Sequence, residues 1–105
     1  MNEVKIIADP AETVYISTKD HSYGIFCYNS KGDLFLSSDW GMYGFAWRSF
    51  GDNFKRFLSG CNADYIFDKF DLNTKYLFTK GLPKHVRPHV IALLNEFINH
   101  LKNNP

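Results

Sequence analysis

Few residues of this chain have the types and spacing that chemistry requires. His85 and His89 stand four residues apart, the separation that sets two imidazoles on one helical face and suits a zinc ion. Pro88, between them, fits best in the first turn of a helix, which leaves His85 outside it. With no glutamate paired inside the motif and no cysteine near it, solvated histidines are the better reading, and no metal or other cofactor is expected. Cys61 follows Gly60 and precedes a helix start, where a thiol pKa can fall, but no histidine adjoins it and an idle cysteine accounts for it. Asp39, Arg48 and Asp52 supply two carboxylates and a guanidinium. Carboxylates act as acids or bases only when burial or a neighbouring charge tunes them, and a turn at Asp39 and a helix cap at Asp52 explain both without catalysis. No residue is therefore assigned a catalytic role, and the chain reads as a non-enzyme.

Binding is better represented. Asp39, Trp40, Tyr43 and Arg48 combine the aromatic and arginine types enriched at protein interfaces, and they are the expected partner-binding residues. The same rings can stack on the bases of a single strand with Arg48 on a phosphate, which makes a nucleic-acid-binding accessory protein the alternative. Trp47 reads as core, and Trp40, beside a turn, as the more exposed of the two tryptophans.

The elements that position these residues follow from periodicity. At 105 residues the chain has the size of one domain, and its 45% apolar and 17% aromatic content can offset the entropy of ordering it. A formal charge of +1 disfavours general nucleic-acid binding, although Lys80, Lys84, Arg87 and Lys102 make the C-terminal end locally basic, as a solvated helix face does. Two cysteines are too few for a disulfide scaffold. With no secretory signal and no apolar run long enough for a bilayer, the expected setting is a reduced cytoplasm away from membranes, with Cys27 and Cys61 as small buried groups.

Val4–Ala8 reads as a strand or an extended lead-in closed by Asp9-Pro10. Thr13–Thr18, Tyr23–Tyr28 and Leu34–Ser37 read as an antiparallel meander, with turns at Lys19–Ser22 and Asn29–Asp33. After a reversal at Asp39-Trp40-Gly41, Tyr43, Phe45 and Trp47 share one side of a fourth strand. Gly44 and Ala46 on the reverse side leave room for a partner's close approach. Ser49 and Asp52 resemble a capping box opening a helix over about 50 to 59, closed by Gly60. Asn62 caps a second helix over about 63 to 70, and Tyr76-Leu77-Phe78 is left as a short strand or a loop. Val90, Ile91, Leu94, Phe97, Ile98 and Leu101 form the stripe of a final helix. Strands first and helices after them predict an α+β domain: an antiparallel sheet of about four strands covered on one face by two or three helices.

The string Ser38-Asp39-Trp40-Gly41-Met42-Tyr43-Gly44-Phe45-Ala46-Trp47-Arg48-Ser49-Phe50-Gly51 continues through Phe54-Lys55-Arg56-Phe57-Leu58. With Asn62-Ala63-Asp64-Tyr65-Ile66 and the last helix, it resembles a pattern in small proteins encoded by bacteriophages and prophages, over about the last two thirds of the chain. No catalytic residue carries over from that family. The resemblance implies an accessory protein of a bacterial host's cytoplasm that binds and occludes a host protein, including components of CRISPR and other defence systems, or assists phage replication and assembly. Independently of it, a homodimer is one expected assembly.

Overall fold

Alternation of apolar and polar residues builds the front half. In the computed structural model, which describes residues 3–20 and 22–105, four strands follow one another: β1 (Ala11–Ser17), β2 (Tyr23–Asn29), β3 (Asp33–Ser38) and β4 (Gly41–Ala46). They pair antiparallel in the order β1-β2-β3-β4, a simple meander. The register sets Val14 beside Phe26, Phe26 beside Leu36, and Leu36 beside Tyr43. Side chains in a strand alternate between faces, so Val14, Ile16, Phe26, Tyr28, Leu34 and Leu36 all point to one side, and all are buried. The predicted turn at Asn29–Asp33 is present, with Gly32 at a φ of 102° and Asn29 Oδ1 accepting from the Lys31 and Asp33 amides. In the turn between β1 and β2, the Thr18 amide donates to the Ser22 carbonyl; His21 lies outside the described residues.

Three helices cover the inner face: α1 (Phe54–Ser59), α2 (Ala63–Phe78) and, after a 3-10 turn at Lys84–Val86, α3 (Arg87–Asn103). α3 lies under β1 and β2, α2 lies under β4, and α1 packs on α3. Phe97 of α3 stacks on Phe26 with ring centroids 4.3 Å apart, and the missing side chain of Gly24 lets the Leu93 methyls reach β2. Leu93, at helical spacing from Val90 and Phe97, also belongs to the buried α3 stripe, and the sequence reading omitted it. Trp47 is buried, donates from Nε1 to the Tyr65 hydroxyl at 3.1 Å, and has Phe45, Phe54 and Phe57 packed around it. The expected α+β arrangement is the one observed.

Several boundaries differ from the expected ones. Val4–Ala8 forms no strand and pairs with no strand among the described residues, and Val4, Ile6 and Ile7 are exposed. α1 begins at Phe54, with Asn53 as its cap accepting from the Arg56 amide at 3.0 Å. Ser49 and Asp52 do not form the cap, because Gly51 at a φ of 93° breaks the chain direction between them. Phe50 still reaches the core from this loop and packs 4.9 Å from Phe54. Asn62 caps α2 as expected, accepting from the Tyr65 amide at 2.8 Å, but the helix runs two turns past Phe70, so Tyr76-Leu77-Phe78 is helical. The reason is that those last turns project beyond the core. Leu72, Tyr76, Leu77 and Phe78 stay exposed, and the periodicity that marks a buried stripe is absent there. Asp71 ties this end down, pairing with Lys75 one turn on at 3.1 Å and accepting from the Leu82 amide at 2.8 Å.

Candidate functional site

The expected partner-binding residues divide between the two ends of β4. At its start, Asp39 Oδ2 accepts from the Tyr23 amide at 3.1 Å, and the Tyr43 hydroxyl donates to the Trp40 carbonyl. Burial pushes the Tyr43 pKa up. Trp40 is half-buried; its Nε1 donates to Ser22 Oγ at 3.3 Å and its indole lies flat on the imidazole of His89. These three residues form one cluster against the first turn of α3. Arg48 lies past the far end of the strand, roughly 20 Å away at the usual rise per residue. There it donates to Asp33 at 2.9 Å and to the Lys31 carbonyl at 3.0 Å.

The remaining candidates for chemistry are occupied locally. His85 lies in the 3-10 turn and His89 in α3, with the ring of His89 turned to Trp40, so the two do not present a shared helical face. Among the described residues no three His, Cys, Asp or Glu side chains gather as metal ligands. Cys61 donates to the Phe57 carbonyl at 3.3 Å, and burial raises its thiol pKa, opposite to activation. Both cysteines are half-buried and free, less enclosed than their composition-based reading. The basic C-terminal end is partly neutralised: Arg87 pairs with Asp64 at 2.5 Å and with Asp68 at 3.6 Å.

The sequence reading missed the outer face of the sheet. No described helix covers it, and Tyr15, Ile25 and Met42 fall in one cross-strand row, with Cys27, Phe35 and Gly44 in the next. Tyr15 is 67% exposed, Phe35 56% and Met42 79%. The last turns of α2 overhang β4 and close one side of a groove of about 510 Å³, lined by Ile25, Phe35, Met42, Leu77 and Phe78. Among the described lining residues the single charged one is Asp33, whose pKa is held below the usual carboxylate value by the Asn29 hydrogen bond, against the opposing effect of burial, and by Arg48. Gly44 offers no free space, since the ring of Phe35 lies directly over it. A signal for this face was present. Ile25, Cys27 and Phe35 are apolar at one parity while Phe26, Tyr28, Leu34 and Leu36 are apolar at the other, and strands apolar on both sides are those with both faces covered.

Residues 4–98 match a family described as a phage family. The chain belongs to this phage protein family. No curated protein and no solved structure matches it. The match takes in all four strands of the phage protein, the groove and most of α3, so the uncovered face lies wholly within the family region. No helix among the described residues is long and apolar enough to cross a membrane.

Proposed function

We propose that this phage protein is a non-enzymatic binding protein that occludes a bacterial host protein, with the host target a component of a CRISPR or other defence complex. The contact surface in this reading is the outer sheet face together with the overhanging end of α2. One observation carries it: Tyr15, Phe35 and Met42 form an uncovered apolar surface continuous with Leu77 and Phe78. Contiguous apolar patches rimmed by polar groups mark interaction sites on proteins of this size. The anti-defence assignment rests on the phage origin of the family and is an analogy of class.

The alternative is a single-stranded nucleic-acid binder that stacks bases on Tyr15, Tyr23 and Phe35, all exposed on the same face. The lining charge favours a protein partner, because the one ionised group among the described lining residues is a carboxylate. The test expresses the protein in cells with an active defence system and measures both interference and recovery of the defence complex on the tagged protein. Met42→Glu and Leu77→Glu should abolish both while leaving the thermal midpoint unchanged. Equal inhibition by these variants would remove this surface from the reading. Salt-dependent oligonucleotide binding with no recovered complex would select the alternative.

A further inference from the structure

The two edges of the sheet are finished differently. On β4, Asn73 of α2 reaches from outside the sheet and donates to the Gly44 carbonyl at 2.8 Å. Backbone groups alternate sides along a strand, so this bond fixes the parity of the whole meander. Gly44 and Phe35 are opposite each other without sharing hydrogen bonds, Phe35 then bonds to Cys27, and the groups of Phe26 turn to β1. On β1, Glu12, Val14 and Ile16 bond to β2 by the same alternation, and Ala11, Thr13, Tyr15 and Ser17 direct their N–H and C=O groups away from the sheet. Among the described residues none bonds to those outward groups. A groove of about 520 Å³ runs beside them, lined by Glu12 through Ser17 and, from α3, Glu96 and His100. A seven-residue edge without proline or cover, its one charge on the core-facing side being Glu12 near one end, is a template for another strand.

We propose that the strand it accepts is β1 of a second copy, paired antiparallel about a two-fold axis through Val14 so that the two sheets become one. Thr13 then faces Tyr15 of the second copy and Ala11 faces its Ser17, which matches outward groups to outward groups along the full length of β1. Shifting the pairing by two residues in either direction leaves one end of the strand unmatched. The same register brings Asp9 opposite Lys19 of the second copy, and the two-fold axis repeats that pair, so the flanks are charge-complementary. Among the described residues Asp9 has only a distant, exposed partner within its own chain, Lys31 at 3.9 Å. Joining the sheets places both outer faces on one side, with each Tyr15 beside the axis. The dimer is thus a bivalent form of the surface proposed above, although its formation does not depend on that function.

Sedimentation velocity across a concentration series tests this on the full chain, with hydrogen exchange read at the Thr13 and Tyr15 amides. The expected result is a species of twice the chain mass in which both amides are protected. Thr13→Pro deletes an outward N–H and leaves the β1–β2 ladder intact. It should weaken dimerisation by about a hundredfold, through two symmetry-related lost bonds, with an unchanged circular dichroism spectrum. Lys19→Asp should weaken the dimer at low salt, and adding Asp9→Lys should restore it, a rescue that a folding defect would not show. A monomer at every concentration with freely exchanging Thr13 and Tyr15 amides would overturn the proposal. Protection of those amides in a monomer would also overturn it, assigning the edge to the chain's own Val4–Ala8 segment.

Discussion

The indole of Trp40 and the imidazole of His89 lie in stacked contact, with ring centroids 3.7 Å apart and planes 9° from parallel. This contact joins the β3–β4 turn to the first turn of α3, so it holds the sheet to the helix layer at one end. His89→Ala should cost about 1 kcal/mol in urea denaturation, the worth of one aromatic stack. It should also open Trp40 to iodide quenching while Trp47, enclosed by Phe54 and Phe57, stays protected. Unchanged quenching would show that the stack does not shield Trp40 in solution.

Among the described residues the buried Tyr28 hydroxyl has no hydrogen-bond partner of good geometry, and burial, together with the Glu12 carboxylate near it, raises its pKa. A buried polar group left unpaired destabilises the fold, so Tyr28→Phe should be neutral or stabilising by up to about 1 kcal/mol. The folded state keeps the phenol protonated after the unfolded chain has begun to lose its proton. The contribution is therefore complete below the ordinary tyrosine value of about 10 and is lost as pH rises above it. Denaturation of both proteins at rising alkaline pH should show a shallower decline for the variant.

Asp33 gives the opposite dependence. Its pKa is lowered by Asn29 first and also by Arg48, so its contribution is present above the ordinary carboxylate value and is lost as pH falls through the lowered one. Asp33→Ala should cost about 1 kcal/mol at neutral pH, because solvent around the exposed Arg48 weakens the pair. The difference from the parent should close in acid. A constant difference across the acid range would mean the carboxylate charge contributes nothing.

Gly32 and Gly51 both adopt positive φ, but their surroundings differ. A methyl group at Gly32 would collide with the Trp47 carbonyl and the Phe50 ring, whereas Gly51 faces open space. Gly51→Ala should cost about 1 kcal/mol for its backbone conformation alone, and Gly32→Ala more than about 2 kcal/mol. Equal losses of denaturation midpoint in the two variants would show that the β2–β3 turn yields more easily than its geometry implies.

Features set by neighbours in sequence were legible from the chain alone. Alternation along β2 and β3, the turn at Asn29–Asp33, the Asn62 cap and the apolar stripe of α3 all follow from local rules of geometry and hydrogen bonding. The same rules separated strands from helices and so led to the fold class. They failed where an element's stability comes from elsewhere. The last two turns of α2 bury no stripe, and they are held by Asn73 on Gly44 and by Asp71 on Lys75 and Leu82. Three of the four expected binding residues gather at one end of β4, and Arg48 is set apart by the length of a strand that spacing alone could not orient. The pattern of β2 and β3, apolar at both parities, carried a signal for a second apolar face that the sequence reading missed. Which face the helices leave open, and which edge Asn73 closes, depends on long-range packing: helices settle on the side that buries Phe26, Leu34 and Leu36 completely, and the opposite side is exposed as a result.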